Sequence, residues 1–260
     1  MMKIAVLYIC TGKYNQFFKG FYKSAEKYLL KGEADIEYFV WTDNMDLSHA
    51  ANVHLIERQC QGFPKDSLFR FDMFLSIKEE LEKFDYIFFF NANMLFVQPV
   101  GEEILPKEEG LMAVLHPTYF RRWPACCFPY ERNERSAAYI APHGKNYHYF
   151  MGSLNGGKAK DFLQMAQTLS LDTHKDWDEG IVATVHDESH LNKYMRTHNC
   201  KAISSAYAYP EGWHLPFEPK IILRDKVKLD SYFNKGRDKS LSGKCKMLLN
   251  IIKRAIIWYL

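Results

Sequence analysis

Apolar residues run almost without a break over residues 3–10 (KIAVLYIC), the pattern of a strand buried on both faces of a parallel sheet rather than an alternating surface strand. After Thr11-Gly12-Lys13 the spacing becomes helical. Phe17, Phe18, Phe21, Tyr22, Ala25, Tyr28 and Leu29 share one broad face, and Gly32 ends the element. Residues 36–41 predict a second strand, so the chain opens as a βαβ unit. Pro64 and Asp66 start a second helix, with Asp66 as its N-cap and Phe69, Met73, Phe74, Ile77 and Leu81 along one side. Residues 86–90 (YIFFF) follow as a central strand that stops at Asn91-Ala92-Asn93. Ligands of open α/β sheets bind beyond the carboxyl ends of strands, so residues 11–14 and 91–93 are expected beside one ligand. A plain turn at Asn91 and Asn93 fits the composition equally well. Residues 116–157 are rich in Tyr, His, Arg and Gly and lack periodicity, as functional loops do.

Composition narrows the class. With 260 residues and 47% hydrophobic content the chain can bury one sizeable core. A net charge of +3 does not single out a nucleic-acid binder. The 15% aromatic content supplies faces that stack on sugars, although most such rings are core in any protein. Cys10, Cys60, Cys126, Cys127, Cys200 and Cys245 form no CxxC pair, and vicinal Cys126 and Cys127 cannot make an ordinary bridge. The first residues lead straight into a strand, leaving no room for a signal peptide. No run of 18 apolar residues exists. A cytoplasmic protein is expected. Residues 231–260 form a basic tail in which 244–260 (KCKMLLNIIKRAIIWYL) has the make-up of a helix lying on anionic lipid. A terminal helix packed on the core is the alternative.

Residues 185–194 (VHDESHLNKY) hold the densest chemistry. His186 and His190, four apart, would share a helix face and bind zinc, giving a metal-dependent hydrolase. Yet the zinc-protease pattern places Glu directly after the first His, where Asp187 stands, and Glu188 is rotated off that face. A solvated helix start capped by Asp187 or Ser189 is the second reading. The third sets the Glu188 carboxylate against an anomeric carbon, where it stabilises the positive charge of an oxocarbenium-like transition state.

Three ordered blocks bear on this choice. HDESHLNKY, the pair Tyr130-Glu131-Arg132 and Ser136-Ala137-Ala138-Tyr139-Ile140, and His116-Pro117 after an apolar strand together resemble the signature of the family-6 retaining glycosyltransferases. That family includes the histo-blood-group A and B transferases and α1,3-galactosyltransferase. The similarity runs over residues 3–226. It implies a GT-A fold, an α/β single domain (residues 1–230) with nucleotide-binding and acceptor-binding halves. By the same resemblance Glu188 matches the catalytic carboxylate, Asp187 the residue holding the donor-sugar hydroxyls, and His186 the one orienting them. His116 matches an acceptor-binding histidine. Ile9, Thr11 and Tyr14 fall where the family contacts uracil and ribose, and Arg70 matches a donor-contacting arginine. Met151, Gly152 and Ser153 fall in the segment facing the C2 substituent of the donor sugar. The A-type enzyme looks like Leu-Gly-Gly there and the B-type like Met-Gly-Ala.

Departures from the pattern are informative. Vertebrate members have Asp-x-Asp where this chain has Asn91-Ala92-Asn93, a Trp where Val185 stands, and an N-terminal anchor; the Asn-Ala-Asn form is similar to bacterial members. Two neutral amides bind a hard cation poorly, so neither a metal nor any other cofactor is expected. Lys226, after the last family block, is the expected cation for the leaving diphosphate. The resemblance therefore implies a metal-independent α1,3-galactosyltransferase using UDP-Gal and a galactose-containing glycan, fucosylated or not and lipid-linked in its physiological form. UDP-GalNAc is the second donor candidate. A sugar-binding protein without turnover, and a nucleotide-sugar hydrolase, are the alternatives of other kinds.

Overall fold

The computed structural model describes residues 1–121, 123–142, 144–234 and 241–259, the side chains of 241–247 and 259 excepted. Strand β1 (Met2–Ile9) lies in the middle of a sheet and α1 (Asn15–Tyr28) packs against it. β2 (Ala34–Thr42) pairs parallel with β1, and β3 (Val53–Glu57) parallel with β2. Three short helices follow, α2 (Lys65–Leu68), α3 (Arg70–Leu75) and α4 (Lys78–Leu81). β4 (Tyr86–Phe90) is the other parallel neighbour of β1. Then come β5 (Met94–Phe96), β6 (Leu111–Leu115), β7 (Phe150–Lys158), α5 (Ala159–Asp178) and α6 (Asp187–Thr197). β8 (Lys201–Ile203), β9 (Tyr209–Pro210), β10 (Ile221–Leu223), α7 (Lys226–Leu229) and α8 (Leu241–Tyr259) complete the chain.

The large sheet has the order β3-β2-β1-β4-β7-β6-β8, parallel from β3 to β4 and antiparallel on both sides of β7. A small sheet, β5-β10-β9, stands beside it. The apolar run of β1 is explained by burial on two faces. Ile4, Val6 and Tyr8 enter the core under α1, whereas Ala5 and Leu7 enter the core shared with Phe74 of α3 and Phe162 of α5. This is the mixed α/β, single-domain architecture implied for a GT-A-like enzyme.

Three local expectations are corrected. The helix expected from Pro64 is broken at Phe69 and at Ile77, where the backbone leaves helical angles; just before the second break the Ser76 hydroxyl donates to the Met73 carbonyl at 2.6 Å. Asp66 lies inside α2 and caps nothing there; it accepts from the amides of Gln61 and Gly62 and closes the preceding turn. The stretch 116–157 is irregular only to residue 149, because β7 begins at Phe150. Part of the basic tail, residues 235–240, Leu260 and the side chains of 241–247, lies outside the described residues.

Candidate active site

Four chain segments meet at the carboxyl ends of the central strands. The Tyr8 hydroxyl of β1 donates to the Ala92 carbonyl at 2.7 Å, which holds the turn after β4 against the end of β1. The Asn91 amide donates to the Ser153 carbonyl at 2.8 Å, so the same turn is stitched to β7. The start of α6 then lies over β7. Gly152 N–H donates to Glu188 Oε2 at 2.7 Å, and the Tyr149 hydroxyl donates to Oε1 at 2.6 Å. Beside them Arg70, at the head of α3, reaches the Gly152 carbonyl at 3.1 Å and Asp187 Oδ2 at 3.2 Å. The break before α3 is what turns Arg70 toward this point. A side chain at residue 152 would come within 3.2 Å of Asp187 Oδ2, closer than ordinary contact, so glycine lets Asp187 approach the strand.

Burial dominates the electrostatics. It pushes the Glu188 carboxyl up to about 7, against the pull of the Gly152 amide and the Tyr149 hydroxyl; Asp187 adds to the rise and Arg70 opposes it. Asp187 is also raised by burial, with Arg70 pulling it back. A carboxylate poised near neutrality beside a fixed cation can stabilise developing positive charge at a sugar carbon.

The turn that delivers these acids is itself clamped. His186 has φ 50° and ψ −127°, a backbone state that β-carbon residues rarely adopt. Glu131, from the Tyr-Glu-Arg block, accepts from the Thr184 amide at 2.7 Å and the Thr184 hydroxyl at 2.9 Å. Asp176 of α5 accepts from the Ser136 hydroxyl and the Ala137 amide of the Ser-Ala-Ala-Tyr block. The second sequence block thus supplies one buried carboxylate, Glu131, and the Ser136 and Ala137 donors to another, Asp176, with partners about 40–50 residues away.

The remaining expected residues divide between two flanks. On the flank expected to receive the nucleotide, Thr11 is buried at the end of β1, Ile9 packs on the core, and Tyr14 meets Lys226, whose Nζ donates to the Tyr14 hydroxyl at 3.3 Å. Asn93 brings that lysine in. Its side-chain amide donates to the Arg224 carbonyl at 2.8 Å while the Arg224 amide donates to the Asn93 carbonyl at 2.9 Å. Asn91 donates to Asn93 Oδ1 at 3.0 Å, so both amides are engaged in holding this strap. On the other flank His116, at the end of β6, has its ring 5.6 Å from that of Tyr149. Its Nδ1 accepts from the Thr118 amide and burial pushes it down to about 4, so the neutral ring presents Nε2–H as a donor. Met151 packs against the core under α1, and the Ser153 hydroxyl is buried with no hydrogen-bond partner among the described residues.

The zinc arrangement does not form. His186 stands outside the helix, edge-on to Phe63, while His190 is buried 3.6 Å from Asp176, so the two histidines share no face. Among the described residues no three His, Cys, Asp or Glu side chains come together as a metal site.

The model of the family described as Glycosyltransferase family 6 matches residues 2–230. The chain belongs to glycosyltransferase family 6. Within the family it is 34% identical over 235 residues to the O-antigen biosynthesis glycosyltransferase WbnI of Escherichia coli, covering 90% of this chain and 99% of that one. It is 30% identical over 247 residues to the globoside alpha-1,3-N-acetylgalactosaminyltransferase 1 of Gallus gallus, covering 91% and 70%. To the histo-blood group ABO system transferase 2 of Rattus norvegicus it is 30% identical over 223 residues, covering 81% and 65%. This family-6 chain is accordingly a glycosyltransferase. Tyr149 and Thr184, which sequence reasoning did not single out, join its site as partners of the motif acids. No local pattern marks either one.

Proposed function

We propose that this family-6 enzyme transfers galactose from UDP-Gal to the 3-hydroxyl of a galactose-containing glycan, with retention and without a divalent metal. The observation that carries this reading is the doubly held Glu188 carboxylate beside the Asp187–Arg70 pair. In the reaction the bond between the anomeric carbon and the diphosphate oxygen breaks and UDP leaves with the electron pair. The acceptor oxygen then bonds to the same face, and its proton passes to the diphosphate oxygen that has just left. Glu188 stabilises the positive anomeric centre, and Asp187 and His186 bind and orient the sugar hydroxyls. Thr11, Ile9 and Tyr14 receive the nucleotide, and Lys226, carried in by the Asn93–Arg224 contact, balances the leaving diphosphate. His116 meets the acceptor through Nε2.

Two observations favour galactose over N-acetylgalactosamine. Ser153 fills space that a glycine would leave open, and Met151 is the residue found in the galactose-using B-type enzyme. UDP-GalNAc is the second reading, since the named activity of the Gallus gallus relative uses that sugar. The name of the Escherichia coli relative, an O-antigen biosynthesis glycosyltransferase, supports a surface-polysaccharide precursor as acceptor. Release of UDP from UDP-Gal, compared across galactoside acceptors and without one, tests the function. Acceptor-dependent release supports transfer, and equal release without acceptor contradicts it.

A further inference from the structure

Helix α8 is docked on one side only. Trp258 is 4% exposed within the aromatic cluster of Phe128, Tyr130 and Tyr149, and the Arg132 guanidinium lies 3.9 Å from its ring centroid. Ala255, nearly one turn earlier, packs on the same cluster. The adjoining side carries Leu248, Ile252 and Ile256, four residues apart, with Leu249 beside them; they are 58, 47, 54 and 63% exposed. At about 100° per residue these four fall in one stripe roughly 100° wide. A continuous apolar stripe of this kind marks an interaction surface.

Charge decides what covers it. Seven of the 34 Lys and Arg, but one of the 31 Asp and Glu, fall in residues 231–260. That segment carries +6 and residues 1–230 carry −3. Lys253 is exposed at the edge of the stripe, with Arg254 next to it. A second copy would bring the same positive charge to the same place. No helix among the described residues is long and apolar enough to cross a membrane. A basic helix with one exposed apolar stripe, held to a folded domain along the neighbouring side, has the make-up of an element lying in the headgroup layer.

We propose that α8 rests its Leu248-Leu249-Ile252-Ile256 stripe in the surface of an anionic lipid bilayer. The anchor sits close to the chemistry. Trp258 stacks near Tyr130 at 6.1 Å, Tyr130 near Tyr149 at 5.6 Å, and Tyr149 holds Glu188. Two aromatic rings therefore separate the bilayer-facing helix from the carboxylate, an arrangement suited to a lipid-tethered acceptor. The purpose rests on the transferase reading; the binding itself does not.

Cosedimentation of the full chain with vesicles tests the surface directly. Vesicles of phosphatidylglycerol mixed with phosphatidylcholine should bind the protein roughly tenfold or more tightly than phosphatidylcholine alone, given about fivefold per basic residue near the surface. Leu249→Glu and Ile252→Glu should each lower that binding roughly tenfold, while Leu171→Glu, at an exposed position of α5, leaves it unchanged. UDP release with a soluble acceptor should persist in all three variants, so a failed binding test leaves the transferase reading standing. No binding to anionic vesicles, or binding indifferent to Leu249→Glu and Ile252→Glu, overturns the proposal. So does a dimer in light scattering that Leu249→Glu dissolves, which would assign the stripe to a second copy.

Discussion

The Tyr149 hydroxyl donates to Glu188 Oε1 at 2.6 Å from within a buried aromatic cluster, while the Gly152 amide holds the other oxygen. Both donors favour the ionised acid, against burial that pushes its pKa up to about 7. The proposed mechanism needs that carboxylate charged. We therefore expect kcat/KM to rise with pH through an apparent pKa near 7, the value belonging to the free enzyme. Tyr149→Phe removes a donor to a charged group, a loss of about 1.5–3 kcal/mol, so the limb should move to higher pH. An unmoved limb would show that the hydroxyl does not tune Glu188.

Glu188→Gln should lower kcat roughly 10²–10³-fold with little change in KM, because the lost interaction belongs to the transition state. The same change should stabilise the fold at alkaline pH. The folded carboxyl keeps its proton up to about 7, whereas the unfolded one loses it near the ordinary glutamate value. That preference stabilises the native state at acid pH and is lost as pH rises through about 7. Thermal unfolding should therefore favour Glu188→Gln over the parent chain more at about pH 8 than at about pH 5. Parallel melting of the two chains at both pH values would contradict the burial of the charge.

Asn93 is a donor, and that role separates it from the aspartate of the vertebrate pattern. A carboxylate in its place would turn an acceptor toward the Arg224 carbonyl and leave the strap before Lys226 held there by the Arg224–Asn93 backbone bond alone. Asn93→Asp should cost about 1–3 kcal/mol at this partly buried contact and raise KM for the donor. Excess EDTA should leave the parent enzyme's rate intact. A tenfold fall with EDTA, restored by Mn²⁺, would defeat metal independence.

In the proposed reading, donor choice turns on residue 153. Discrimination by a few atoms is worth about 1–3 kcal/mol, or roughly 10- to 200-fold. UDP-Gal should exceed UDP-GalNAc at least roughly tenfold in kcat/KM, and Ser153→Gly should narrow the gap. Equal use of both donors by the parent chain would overturn the assignment while leaving the fold in place.

What could be read from the chain follows from where each signal is stored. β1 and β4 were legible because burial on both faces writes an unbroken apolar run. β7 was hidden because its sequence, FMGSLNGGK, is poor in strand formers. The structure explains the glycines: a side chain at Gly156 would run into the Phe88 ring and the Ile87 carbonyl, and one at Gly157 into the Gly110 carbonyl. The short strand β3 was missed for its weak alternation, and the breaks at Phe69 and Ile77 carry no Gly or Pro to mark them. In the site, the acids of α6 and the turn at Asn91-Ala92-Asn93 stood out as motifs. Their supports did not, since Tyr149 lies 39 residues before Glu188 and Glu131 lies 53 before Thr184. Hydrogen bonds over such separations are set by the sheet, not by spacing.

The structure of the reaction product tests the proposed transfer most directly. The enzyme is incubated with UDP-Gal, a galactose-terminated acceptor and EDTA, and the purified product is analysed by NMR for linkage and anomeric configuration. Galactose joined in α linkage to the 3-hydroxyl of the acceptor galactose is the expected result. A β-linked product, a linkage to another hydroxyl, or free galactose with no product would contradict it.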